Sequence, residues 1–115
     1  MKAKRSIQAL GELEQAVMET VWQHFPATAR DVCDRMTGLW QRAYTTIMTT
    51  MDRLHRKGLL RREKDGLAWK YEPTMSKASF EKALADGLAA NILEIHGETA
   101  LAAFVDAAAE VDEAM

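Results

Sequence analysis

The chain has one cysteine, Cys33, among 115 residues. A lone thiol cannot close an internal disulfide and rules out a Cys-rich zinc site. The scarcity fits a reducing, cytoplasmic setting. No run of eighteen apolar residues occurs, so no membrane insertion is expected. The start, MKAKRSIQALGELEQ, is basic but lacks the apolar stretch of a secretory signal. There is no glycine-rich phosphate loop, internal repeat or low-complexity tract. His24, His55 and His96 are widely separated, and no ligand spacing joins them to Cys33. No nucleophile–base pair and no paired carboxylates stand out. The expectation is therefore a non-enzyme without metal or cofactor. Cys33 reads as a small core residue. Met18, Met36, Met48, Met51 and Met75 read as packing residues, with Met48 alone exposed.

The formal net charge is only −2, but it is segregated. Residues 1–73 hold thirteen Lys/Arg against nine Asp/Glu, a net of +4, and residues 74–115 hold two against eight, a net of −6. Between Arg42 and Lys64 the balance is seven basic to two acidic. A basic front and an acidic tail imply different tasks.

The basic centre reads as a helix and a hairpin. Tyr44, Ile47, Met51 and Leu54 recur at spacings of three and four, giving an apolar stripe. Arg42, Thr45, Thr46, Thr49, Arg53 and Arg56 occupy the other side. Threonine is a poor helix former, so four of them in one helix call for a reason. Hydroxyls and guanidinium groups suit a helix that lies against a phosphate backbone and reaches base edges. Gly58 is placed to end this helix in the left-handed region. Leu59–Lys64 and Leu67–Glu72 then read as strands flanking Asp65-Gly66, a pair suited to a type I′ turn. Pro73 closes the second strand.

Before this lies an amphipathic helix carrying Leu10, Leu13, Val17, Val21 and Trp22, ending near Phe25-Pro26. A short second helix follows, opened by a Thr28/Asp31 capping box, with Val32, Cys33 and Met36 inward. After Pro73, Ser76 is an N-cap candidate. Phe80, Leu84, Leu88, Ile92 and Ile95 then repeat at helical spacing. His96-Gly97 interrupts, and Leu101, Phe104, Val105, Ala108 and Val111 mark a last, alanine-rich helix. The expected fold is mainly α with a small β-hairpin: a winged helix-turn-helix over 1–73 and a helical dimerisation region over 74–115. The last helices have no further domain in the chain to cover them. A second copy is the economical solution; folding back on the first module is the alternative.

Several segments resemble the penicillinase-repressor (BlaI/MecI/CopY-type) regulators. They are Leu13-Glu14-Gln15-Ala16-Val17-Met18, Pro26-Ala27-Thr28-Ala29-Arg30-Asp31-Val32, the run Ala43 to Leu54, Arg56-Lys57-Gly58-Leu59-Leu60, Arg62-Glu63-Lys64-Asp65-Gly66, and Trp69 with Tyr71-Glu72-Pro73. The resemblance implies a cytoplasmic homodimeric repressor on a palindromic double-stranded operator. The third helix would enter the major groove, the wing would lie near the backbone, and the last helices would pair. It also implies a membrane sensor-protease as a possible partner. Gly11 stands where the family usually has a Ser/Thr cap. Met48 stands where it often has Arg or Lys. The tail lacks the Cys-x-Cys pair of the copper-responsive branch.

The candidate DNA-binding residues are Arg42, Ala43, Thr45, Thr46, Met48, Thr49, Arg53, Arg62 and Lys64. The candidate dimerisation residues are Phe80, Leu84, Leu88, Ile92, Leu101, Phe104 and Val105. Thr50 reads as a core-boundary residue. Arg56 and Lys57 serve either DNA or the dipole at their helix's end. Trp69 and Tyr71 alternate on one strand face, expected to pack on the first helix rather than stack on bases. A winged-helix adaptor that binds protein is the competing reading. A steep fall of DNA affinity with salt separates the two.

Overall fold

The structure, a computed structural model, describes residues 9–114. The basic start at residues 1–8 and the side chain of Val111 lie outside the described residues. The elements run α1 (Glu12–Gln23), α2 (Ala29–Arg35), a 3-10 turn (Gly38–Trp40), α3 (Tyr44–Arg56), β1 (Leu60–Asp65), β2 (Ala68–Pro73), α4 (Lys77–His96) and α5 (Glu98–Ala114). Two compact units result, one over Ala9–Ser79 and one containing the chain from Phe80 onward.

In the first unit three short helices each turn one apolar edge inward. Val17 and Val21 of α1, Val32 of α2, and Ile47, Met51 and Leu54 of α3 are wholly removed from solvent. Met18, Leu60 and Tyr71 complete the floor. Each such aliphatic burial stabilises by about 1.5–3 kcal/mol. Thr50 joins this core, and its hydroxyl donates to the Thr46 carbonyl at 2.8 Å, so this buried donor is matched. Cys33 departs from expectation. It is half-buried, at the margin of the core, with Sγ 3.6 Å from the Arg42 carbonyl.

The helix ends follow from local chemistry. At α1, Gly11 offers no side chain, and Glu14 accepts the Gly11 N–H at 3.1 Å instead. At α2 the capping box is closed both ways, with Asp31 N–H donating to Thr28 Oγ1 and Thr28 N–H to Asp31 Oδ2, each at 3.0 Å. At the end of α3, Gly58 has φ +86°. Gly58 N–H donates to the His55 carbonyl and Leu59 N–H to the Leu54 carbonyl, a Schellman pair that turns the chain into β1.

The hairpin turn differs from expectation by one residue. Asp65 pairs with Ala68, so the two-residue loop is Gly66-Leu67 rather than Asp65-Gly66. Gly66 has φ +66°, and among the described residues no non-glycine residue has positive φ. That excludes a type I′ turn and matches the glycine-first pattern of type II′. The strands accordingly begin one residue later than expected and leave Leu67 almost fully exposed at the tip. Tyr71 also exchanges both backbone hydrogen bonds with Ala27, at 3.0 and 2.8 Å, which pins the wing to the segment before α2. Beyond β2, Trp22 Nε1 donates to the Met75 carbonyl and Thr74 Oγ1 to the Gly58 carbonyl.

Ser76 caps α4, accepting the Ser79 N–H at 3.0 Å. Gly97, at φ +89°, separates α4 from α5, which starts about a turn earlier than its apolar pattern suggested. Among the described residues the two helices hardly pack along each other. Phe80 corrects the expectation of a wholly uncovered stripe, since it is buried within the single chain. Leu84, Ile92 and Leu101 are half-buried. Leu88, Ile95, Phe104 and Val105 are exposed, and so is Leu93, which lies outside the expected stripe. No helix among the described residues is long and apolar enough to cross a membrane.

Candidate nucleic-acid interface

The face of α3 opposite the core carries Thr45, Thr46, Met48, Thr49 and Arg53, all exposed. Burial of Ile47, Met51 and Leu54 fixes the roll of the helix and so fixes which side chains point outward. Thr49 Oγ1 donates back to the Thr45 carbonyl at 2.9 Å, leaving its lone pairs and methyl outward. The N-terminus of α3 is bare: Ala43 has no capping side chain, and no carboxylate lies in the first turn. Unpaired N–H groups and the positive dipole end therefore face outward.

Arg42 lies before α3 rather than on it. Its Nη1 donates to the Leu39 and Gln41 carbonyls at 2.7 and 2.9 Å, and the guanidinium sits 5.7 Å from the Trp40 ring centroid. Arg30 lies 4.1 Å over Tyr44, adding a cation beside the first turn.

Two hollows flank α3. One, of about 300 Å³, is lined by Leu13, Thr45, Thr46, Thr49, Thr50 and Arg53. The other, of about 530 Å³, runs between α3 and the wing past Met48, Thr49, Asp52, Arg62, Lys64 and Trp69. Thr49 lines both.

The wing departs from its sequence reading at Trp69. Tyr71 is buried as expected, but Trp69 does not join it in the core. Register places Lys64 opposite Trp69 and Arg62 opposite Tyr71. Arg62 lies 4.3 Å and Lys64 4.5 Å from the Trp69 centroid, so the indole is a cation platform. Lys64 is exposed. Arg62 is drawn inward, with Nη1 3.3 Å from the Tyr71 hydroxyl and 3.0 Å from Asp52 Oδ1. The hydrogen bond to Tyr71 raises its pKa, burial opposes that, and Asp52 adds to the rise. Asp52 and the exposed Leu67 went unremarked in the sequence. An acid on a polar helix face looks ordinary, and the tip position depended on the turn register.

Behind the face, Glu14 is buried and receives Lys57 Nζ at 2.9 Å on both oxygens, tying α1 to the end of α3. Burial pushes its carboxyl up, but the Lys57 and Gly11 hydrogen bonds outweigh this and hold it below the ordinary 4.5. Lys57 therefore serves an ion pair, not a free cationic surface. Among the described residues no group of His, Cys, Asp and Glu is placed to hold a metal ion.

The chain is similar to known proteins in sequence and fold. The transcriptional regulator BlaI of Mycobacterium tuberculosis, in strains CDC 1551 / Oshkosh and ATCC 25618 / H37Rv, is 40% identical over 65 residues. That stretch is 56% of this chain and 47% of the relative, so the match spans about half the relatives' length. The solution structure of the DNA binding domain of the repressor BlaI is similar at TM-score 0.56 and 25% identity, over 65% of this chain and 92% of that one. Bacillus licheniformis BlaI, in its monomeric form in complex with the blaP half-operator, is similar at TM-score 0.52 and 26% identity, over 64% and 89%. The PcaV regulator of Streptomyces coelicolor shares the fold at TM-score 0.54 and 22% identity, over 91% and 76%. The penicillinase repressor family model matches residues 10–114. Mainly helical with one antiparallel wing, and matched over nearly its whole length, the chain belongs to the penicillinase repressor family, whose members are transcriptional regulators rather than enzymes.

Proposed function

We propose that the chain is a cytoplasmic, homodimeric transcriptional repressor that reads a palindromic operator. The observation that carries this is the exposed Thr45/Thr46/Thr49/Arg53 face of α3, held outward by the buried stripe behind it. In this reading α3 lies in the major groove with its N-terminal turns toward the bases. Thr45, Thr46, Met48 and Thr49 touch base edges and thymine methyls, and Arg53 reaches a base or phosphate. The bare α3 N-terminus, Ala43 and Arg42 receive a backbone phosphate. Lys64 contacts the backbone from the wing. Arg62 supports the wing from inside, which its bonds to Asp52 and Tyr71 favour. The complex of the Bacillus licheniformis relative with a half-operator supports one module per half-site.

The exposed apolar residues of α4 and α5, with Leu84, Ile92 and Leu101, form the interface with a second copy. Pairing two modules multiplies affinity through effective concentration, and cutting the link removes the gain. Induction then proceeds by cleavage or disruption between Ile92 and Val111, with a membrane sensor-protease as the partner that the family resemblance suggests. The test is a salt series with a duplex selected by the chain from a random pool and with a scrambled duplex. A steep fall of affinity with salt and a strong preference for the selected palindrome are expected. Salt-independent binding, or none, overturns the reading in favour of a protein-binding adaptor.

A further inference from the structure

An acid is the wrong charge for a surface that meets phosphates, yet Asp52 lines the groove between α3 and the wing beside Met48, Thr49 and Lys64. Its carboxylate is divided between two arginines. Oδ2 accepts from Arg56 Nε one turn along α3, and Oδ1 accepts from Arg62 Nη1 on β1, both at 3.0 Å. The two pairs are not alike. The Arg56 side chain is 78% exposed and Arg62 only 22%. An exposed i,i+4 pair holds little. Arg62 is sheltered, stacked on Trp69 and bonded to Tyr71, whose backbone is paired with Ala27. A continuous line of contacts thus runs from α3 through both wing strands to the start of α2.

We infer that Asp52 is a specificity-determining positioning residue, which holds Arg62, and with it the wing, at a fixed place against α3 and away from phosphate. The inference rests on the DNA-binding reading above. An arginine free to swing neutralises a phosphate on any duplex and adds affinity without sequence information. An arginine held by Asp52 leaves discrimination to α3 and keeps the wing in register with it. Removing the carboxylate frees one positive charge and loosens the wing. Random DNA gains, and the operator complex loses its fixed geometry.

The test compares the full wild-type chain with Asp52→Asn, Arg62→Gln, the double variant and Arg62→Lys. Binding is measured on the selected operator and on random duplex across a salt series. Asp52→Asn is expected to bind random DNA more tightly, with a salt slope steeper by about 0.9, one added phosphate contact. Its operator-to-random ratio falls about tenfold, within the range for coupled neighbours. Arg62→Gln lowers the ratio too, and in the double variant the two losses do not add. Arg62→Lys keeps the charge but not the planar fork, and it lowers the ratio without weakening random binding. In the free proteins the indole N–H resonance of Trp69 shifts in every variant that breaks the Asp52–Arg62 contact. Thermal unfolding identifies any variant that fails to fold, and Arg62→Lys then carries the comparison. An unchanged ratio in folded variants, or an equal loss on both duplexes with an unchanged slope, overturns the inference alone. A wild-type chain without salt-dependent preference for any duplex overturns the DNA-binding reading and the inference with it.

Discussion

The two units of this chain solve the burial problem differently. Over Ala9–Ser79, apolar side chains from three helices and the wing meet in one core, and several are wholly out of solvent. From Phe80 onward the helices are as apolar in composition, but Leu88, Leu93, Ile95, Phe104 and Val105 remain exposed. The first unit also closes its polar ends, through the Thr28/Asp31 box, the Gly58 turn and the Glu14–Lys57 pair. A region that satisfies itself can present a fixed surface to DNA. A region that leaves leucine and phenylalanine in water is the part that the proposed second copy would cover.

The largest expected effect breaks the second region. Leu88→Asp combined with Phe104→Asp should raise the dimer dissociation constant roughly a thousandfold, from two losses of about 2 kcal/mol each. Sedimentation should show monomers that melt at an unchanged temperature in the first unit. An undisturbed dimer would place the interface elsewhere.

Next comes the core of the first region. Leu54→Ala should cost about 2–5 kcal/mol in denaturant unfolding, because it opens a cavity where no solvent reaches. A cost below about 1 kcal/mol would mean that the site collapses freely and α3 is less fixed than argued.

The DNA face should respond in two ways. Arg53→Ala and Thr49→Ala should each weaken operator binding by about 1–3 kcal/mol if they touch bases. Lys64→Ala should weaken all duplexes alike and flatten the salt slope by about 0.9. Equal losses on operator and random DNA for all three would remove base reading from α3.

The smallest effect is the pH response of Glu14. Its folded pKa lies below 4.5, so its stabilisation is complete above the unfolded value and is lost as pH falls through the folded one. Glu14→Gln should cost about 1 kcal/mol or less near neutrality, since Lys57 is half exposed and solvent screens the pair. The difference from wild type should vanish in acid melts. A difference that persists in melts well below the folded value would assign the effect to packing instead.

The legible and illegible parts of the fold divide along similar lines. Helical spacing of Ile47, Met51 and Leu54 revealed the buried side of α3, and Gly58 and Thr28/Asp31 revealed where elements begin and end, because each is a local signal with one dominant cause. The hairpin was legible, but its turn type was not. Asp65-Gly66 and Gly66-Leu67 both suit tight turns, and cross-strand pairing chose the second. Trp69 and Tyr71 alternate identically in sequence, yet Tyr71 is buried while Trp69 takes Arg62 and Lys64 on its ring. That distinction depends on β1 partners, which spacing within β2 does not encode. Arg62 looked like any wing cation until Asp52, ten residues away, was placed beside it. Phe80 begins an apparently open stripe and is covered, whereas Leu93, outside that stripe, is open.

In the proposed function one region reads DNA and the other links two readers. A fluorescence anisotropy titration of the full chain and of a fragment ending at Asn91, each with the same selected palindromic duplex, tests it most directly. The fragment should keep its cooperative thermal unfolding and still bind, but about a hundredfold or more weakly, the loss expected when a bivalent link is removed. A folded fragment that binds the full palindrome as tightly as the intact chain would contradict the account.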